Sequence, residues 1–155
     1  EKVYIHKIVY DEVMVPVCAK EQIDSLIKQG ILEIMDESKL APLEKKVYEG
    51  TYCLLARIMM NPNRPRKNQG EICSLAIAKT KSIPYFATDE KKLQPIIDKA
   101  LNTGMNDIIC VRIEDVVQKI KSGELSAFKR KEAKVLWRLA GKRTDIFDRN
   151  IWPVQ

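Results

Sequence analysis

The sequence predicts an α/β fold in three layers, with a mostly parallel twisted sheet between helices and a basic helical extension at the C-terminus. Short runs of β-branched and aromatic residues alternate with longer segments whose apolar residues recur at helical spacing. The 155 residues, 45% of them hydrophobic, are enough for one core of ordinary size. Parallel strands need crossover helices, which normally cover both faces of their sheet.

The first half of the chain reads as strand, helix, strand, helix. Residues 3–9 are rich in β-branched and aromatic side chains and predict a strand. Residues 20–29 have apolar positions at helical spacing, and Gly30 supplies a stop. The short apolar run 31–35 predicts a half-buried strand, and residues 43–60 keep apolar residues on one face of a long helix.

The second half continues the alternation. Prolines and asparagines in residues 61–70 break both periodicities and predict a basic loop. The elements expected after it are a helix over 71–81, a strand over 83–87, a helix ending near Gly104 with Pro95 in its first turn, a strand over 107–112, a helix over 114–121 and a final helix over 124–140.

The charge of the chain favours a partner that carries phosphate. There are 27 Lys and Arg against 21 Asp and Glu, a net charge of +6. Residues 126–155 hold eight basic and three acidic residues, which leaves +5 in this segment. The alternative interpretation is that these charged side chains only face solvent and bind no partner. The candidate contacts to nucleic acid are Arg64, Arg66 and Lys67 in the basic loop and Lys129, Arg130, Lys131 and Lys134 in the last helix.

Cysteine spacing and hydropathy indicate a cytoplasmic protein without a membrane segment. The four cysteines, Cys18, Cys53, Cys73 and Cys110, form no C-x-x-C pair, and buried free thiols in a reducing compartment are the expected state. No apolar run approaches the roughly 20 residues that a membrane helix needs.

Trp137 lies at helical spacing among apolar residues and is expected in the core rather than stacked on a base.

Three acidic positions suggest a divalent metal. Glu71 opens a predicted helix after Gly70, Asp89 follows a predicted strand, and Glu12 lies upstream. Ligands collect beyond the carboxyl ends of parallel strands, and hard divalent cations prefer carboxylate oxygens. Each acid also has an ordinary interpretation. Glu71 suits a helix N-terminus, Asp89 suits a cap, and Glu12 suits a solvated surface.

The acids and their flanking segments together resemble the PIN domain. The resemblance is carried by Gly70–Ala78, by Thr88–Glu90, by the run from Asp107 to Val117 and by Ile8–Val13. It covers residues 2–123 and leaves residues 124–155 as a basic addition packed on the same domain. It implies a nuclease fold whose clustered acids bind Mg²⁺ or Mn²⁺. By residue matching, the catalytic and metal-binding acids would be Glu12, Glu71 and Asp89, with Glu90 as a further metal ligand.

The function that the resemblance implies is metal-dependent cleavage of RNA. Such an endoribonuclease would suit the toxin of a bacterial toxin and antitoxin pair or a related mobile-element protein. RNA, an antitoxin or other protein, and a second copy of the chain are the partners considered. The first acid of the family, in an Asp-Thr turn after a central strand, has no counterpart in this sequence, and we expect that strand upstream of Glu1.

Two other classes of function stay open. A non-catalytic PIN-like protein that binds RNA or acts as an adaptor is favoured if the upstream Asp is absent. A receiver-like signalling domain would use Asp89 to accept phosphate, although the expected Lys at a later strand end is replaced by Arg112 and Glu114.

Overall fold

The computed structural model describes residues 2–13 and 17–153 and has a mixed α/β fold, as the sequence predicts. The strands form two parallel pairs, β1 with β2 and β3 with β4, and the first pair sets Val3 opposite Leu32. The strands are β1 (Val3–His6), β2 (Leu32–Met35), β3 (Tyr85–Ala87) and β4 (Ile109–Val111). The helices are α1 (Lys7–Glu12), α2 (Val17–Lys28), α3 (Pro42–Met59), α4 (Gln69–Thr80), α5 (Leu93–Ala100), α6 (Ile113–Ser122), α7 (Arg130–Leu139) and α8 (Thr144–Ile146), with a 3₁₀ turn at Glu37–Lys39 and a π turn at Phe147–Ile151.

The chain divides into two compact units. Unit 1 comprises residues 1–86 and 94–109, and unit 2 comprises residues 87–93 and 110–155. The domain boundary predicted at residue 123 stays a prediction.

The first strand is shorter than the sequence predicts, because a helix begins inside residues 3–9. His6 is the N-cap of α1, and its Nδ1 accepts the backbone N–H of Ile8 at 3.2 Å. Lys7 and Asp11, one helical turn apart, form an ion pair of 2.6 Å that favours the helix. The prediction of strand beyond His6 is therefore wrong: a capping side chain outweighs the β-branched composition.

The core of unit 1 is built on α4. Its interior residues are buried nearly all round, as expected for a helix without a polar face. Helix α3 packs against α4 and contributes Tyr48 and Leu55 as its buried side chains. Tyr48 joins Ala76 and Ile77 in one cluster, with Met35 and Ile83 at its edge.

The core of unit 2 forms where α6, α7 and the π turn meet. Phe147 is fully buried and lies 5.9 Å from the ring of Trp137, which is buried as predicted. Val117, Ile120 and Ala133 complete the same cluster. Helix α7 begins at Arg130 rather than near residue 124. The reason is local, because Gly123 adopts a φ of 85° and ends α6, so the chain must turn before it becomes helical again.

The predicted state of the cysteines holds for two of the four. Cys73 and Cys110 are buried free thiols, whereas Cys53 is exposed, so its predicted burial is wrong. Cys53 lies on α3 away from the side that carries Tyr48 and Leu55. The side chain of Cys18 lies outside the described residues. No helix in the described part of the chain combines the length and the apolar character needed to cross a membrane.

The His6 cap predicts an acid-sensitive fold. Burial lowers the pKa of His6 despite the nearby carboxylates of Glu37 and Asp36. Below about pH 6.5 the unfolded chain binds a proton at His6 that the folded chain binds only at lower pH, so the free energy of unfolding falls through this window. Protonation at Nδ1 would also remove the acceptor for the Ile8 N–H.

Asn caps helices well and does not titrate in this range, which makes His6→Asn the matched variant. Urea unfolding from pH 7.5 to pH 5 should show stability lost more steeply in the wild type than in His6→Asn. Parallel profiles for the two proteins would contradict the role of His6.

Candidate functional site

A positively charged groove lies along α7 in unit 2. Its volume is about 430 Å³, and no acidic residue is among those that line it. Four cations with no lining carboxylate make the groove complementary to an anion. The lining residues are Arg130, Lys131, Lys134, Val135, Arg138 and Thr144.

The amphipathic pattern of α7 places these cations together. Arg130, Lys134 and Arg138 recur at intervals of four residues and so follow one side of the helix. Ala133 and Trp137 recur at the same interval on the buried side. Packing of the apolar side against the core therefore turns the basic side outward.

The four cations of the groove differ in how far their charge is already neutralised. Asp148, in the π turn, binds Arg130 Nη2 at 2.6 Å and also binds Lys134 Nζ. Lys134 and then Arg130 hold the pKa of Asp148 below its usual value, so this carboxylate stays ionised. Within residues 2–13 and 17–153, neither Lys131 nor Arg138 forms an ion pair, so these two offer the least compensated charge.

The remaining predicted nucleic-acid contacts lie elsewhere. Lys129 is the N-cap of α7 and does not line the groove; its backbone N–H donates to Glu132 Oε2 at 3.0 Å. Arg64, Arg66 and Lys67 lie exposed in unit 1, in the turns that replace regular structure between α3 and α4, as predicted.

Arg138 lines the groove but is absent from the nucleic-acid contacts that the sequence predicts. Its spacing of four residues after Lys134 was the available signal, since both follow the same side of a helix.

Two of the predicted acids, Glu12 and Glu71, lie in unit 1. Glu71 is in the first turn of α4. Gly70 is buried there, and a β-carbon on it would lie 3.2 Å from Val9 Cγ2 and 3.6 Å from Glu12 Oε2. The carboxylate of Glu12, the last residue of α1, thus lies against the residue that precedes Glu71. Glycine at position 70 allows α1 to approach this closely.

The other two predicted acids, Asp89 and Glu90, belong to unit 2, and the carboxylate of Asp89 has a local partner. Asp89 Oδ2 lies 3.0 Å from Lys142 Nζ, which also lies 3.1 Å from Glu114 Oε1. These hydrogen bonds, to Asp89 first, raise the pKa of Lys142, so its ammonium group is retained. The Thr88 hydroxyl accepts the backbone N–H of Glu90 at 3.1 Å, as a capping residue does.

The acids do not form a complete set of metal ligands within the described residues. Among these residues, no group of three or more His, Cys, Asp or Glu side chains is arranged to hold a metal ion. The Glu12 carboxylate lies beside Gly70 in unit 1, while Asp89 is engaged by an ammonium group in unit 2.

A buried polar cluster in unit 1 was not predicted from the sequence. The His6 ring is stacked on Tyr48 at 6.4 Å, and its Nε2 lies 3.3 Å from Glu37 Oε2 without the geometry of a hydrogen bond. The Tyr48 hydroxyl and the thiol of Cys73 interact in this cluster. Burial raises the pKa of Cys73, so the thiol is protonated near pH 7 and a poor nucleophile.

Comparison with known proteins adds no relative. No protein-family model matches the chain, and no curated protein or solved structure is significantly similar to it.

The ion pairs of Asp148 predict that this residue limits anion binding. Changing Asp148→Asn would release Arg130 and Lys134 and should tighten binding of polyphosphate by about five-fold, the equivalent of about 1 kcal/mol. Asp145→Asn is the matched control, because Asp145 pairs with Arg143, which does not line the groove.

Fluorescence competition at fixed salt would measure both affinities, with thermal melts followed by circular dichroism to verify folding. Equal or weaker binding by a folded Asp148→Asn variant would show that Asp148 does not compete with the ligand.

Proposed function

We propose that the protein binds RNA through the groove of α7. The observation that carries the proposal is the groove itself, lined by four cations and no acid. Phosphate contacts dominate the affinity of nucleic-acid-binding proteins and need such a surface. The choice of RNA among polyanions rests on the resemblance of residues 2–123 to the PIN domain.

The uncompensated cations are the expected phosphate contacts. Lys131 and Arg138 lack ion-pair partners in the described part of the chain, so binding phosphate does not require them to leave an existing ion pair. Arg130 and Lys134 would have to share Asp148 or release it. Lys131 and Arg138 are therefore expected to contribute more to RNA affinity than Arg130 and Lys134.

The first test is the salt dependence of RNA binding. The double variant Lys131→Ala, Arg138→Ala should bind single-stranded RNA at least about ten-fold more weakly, and the slope of log affinity against log salt should decrease by about 1.4, since each phosphate contact contributes about 0.7. Lys45→Ala, Lys99→Ala removes the same charge from exposed positions of unit 1.

Fluorescence anisotropy at several salt concentrations would measure affinity and slope together. If both double variants lost affinity and slope equally, net charge rather than the groove would govern binding. If neither lost any, the groove would not be the RNA site.

Metal-dependent cleavage of the bound RNA is the second proposed function. It is favoured by the carboxylate of Glu12 lying against Gly70, next to Glu71 in the chain. The acid set of a PIN-like nuclease would further need Asp89, and Mg²⁺ or Mn²⁺ would supply the Lewis acid that activates water. The three-layer PIN-like sheet and a role as a toxin or mobile-element protein belong to this same proposal.

A cleavage assay separates the two functions. Labelled RNA should be cut with Mn²⁺ or Mg²⁺ and remain intact with EDTA, and Glu71→Gln should abolish cleavage while leaving RNA affinity unchanged. Glu49→Gln, at an exposed position of α3, is the control that should cut normally. Normal cutting by Glu71→Gln would refute the assigned acids. Binding without any cutting by the wild type would favour the non-catalytic RNA-binding function.

A further inference from the structure

An apolar stripe runs along the outer side of α3. It is formed by Leu43, Val47, Gly50, Leu54 and Ile58, and we call it the α3 stripe. Its four side chains are 76% (Leu43), 44% (Val47), 41% (Leu54) and 50% (Ile58) exposed. The stripe spans about 22 Å at 1.5 Å per residue, which matches a partner segment of about four helical turns.

The stripe is distinct from the side of α3 that forms the core. Tyr48 and Leu55 are the buried residues of α3 and pack toward α4. The stripe residues repeat at intervals of four, three, four and four, the spacing of a helix that packs against another helix. Helix α3 therefore carries two apolar faces, of which the fold uses one.

Gly50 opens the centre of the stripe to a close approach. Nothing lies within 4 Å of the position that its β-carbon would occupy. Glycine inside a helix costs about 1 kcal/mol relative to alanine. Its position midway along the apolar side, rather than at a turn, lets the backbone of another helix come near.

The edges of the stripe differ in charge. Lys46 and Arg57 border the stripe on one side, because Lys46 lies four residues before Gly50 and Arg57 lies seven residues after it. Within residues 2–13 and 17–153, neither of these two exposed cations forms an ion pair. Glu44 borders the other side, where it is already bound by Lys81 at 2.8 Å.

The distribution of charge argues against a second copy of the chain as the occupant. Two antiparallel copies would bring equal edges together, so Lys46 and Arg57 would face their own counterparts. In two parallel copies, Lys46 and Arg57 of one copy would face Glu44 of the other copy. That carboxylate is already paired with Lys81. Neither arrangement gives the free cations an acidic partner.

We propose that the α3 stripe is the docking site for an amphipathic helix of another protein, with apolar residues along its seam and carboxylates along one edge. The apolar seam would cover Leu43, Val47, Leu54 and Ile58. The acidic edge would pair with Lys46 and Arg57. This is the helix-in-groove type of recognition, in which the apolar anchors give affinity and the edge charges select the partner.

The test uses two synthetic helices of about three heptads that carry Leu at their a and d positions. One has Glu along an edge, and the other has Lys at the same positions. Fluorescence anisotropy with the full chain should show the acidic helix binding at least about ten-fold more tightly than the basic one.

Three variants assign the binding to the stripe. Val47→Glu and Leu54→Glu, both at exposed positions, should each abolish binding while melting like the wild type. Lys46→Glu, Arg57→Glu should reverse the preference between the two helices. Leu139→Glu, at an exposed leucine of α7, is the control that should bind normally.

Equal binding of both helices, or binding of neither, would overturn the proposal. Sedimentation analysis supplies a further outcome. Self-association of the wild type that Leu54→Glu abolishes would assign the stripe to a second copy instead of an acidic helix.

Discussion

Burial of α4 on nearly all sides is the constraint on which unit 1 depends. A helix without a polar face is stable in water only when other elements enclose it. Helix α3 covers one side through Tyr48 and Leu55, and α1 and β1 pack against others. Gly70 admits α1 because any β-carbon there would press on Val9. The position of the Glu12 carboxylate beside the α4 start follows from this packing.

The stability of unit 2 depends on the π turn, where polar contacts of Arg130 lie beside the aromatic packing of the core. Phe147 fills the core against Trp137, and Arg130 lies over the Phe147 ring at 5.5 Å. Arg130 also donates to the backbone oxygen of Trp152 at 2.9 Å and to Asp148. The same guanidinium therefore closes the turn and lines the groove, so its charge is only partly available to a ligand.

The two units offer different surfaces to partners. Unit 2 presents a basic groove suited to phosphate, and unit 1 presents the apolar α3 stripe with a basic edge. The basic groove attracts anions over roughly the Debye length, which is about 10 Å at 0.1 M salt. The apolar stripe stabilises a partner only when the two surfaces are in contact. The proposed RNA and the proposed acidic helix would therefore bind to different units of the chain. The buried cluster of His6, Tyr48 and Cys73 serves neither surface and belongs to the stability of unit 1.

The sequence by itself determined the α/β alternation, the positions of α3, α4 and α6, and the basic character of α7, because periodicity and charge are local properties. It missed helix α1, since the His6 cap outweighed strand-forming residues, and it missed Arg138 as a groove residue. It also did not reveal which side of α3 is buried, because Leu43 and Val47 lie on one apolar side of the helix and Leu55 lies on another. Only the tertiary structure decided that, and only it showed Asp148 neutralising Arg130 and Lys134, since these contacts join residues far apart in the chain.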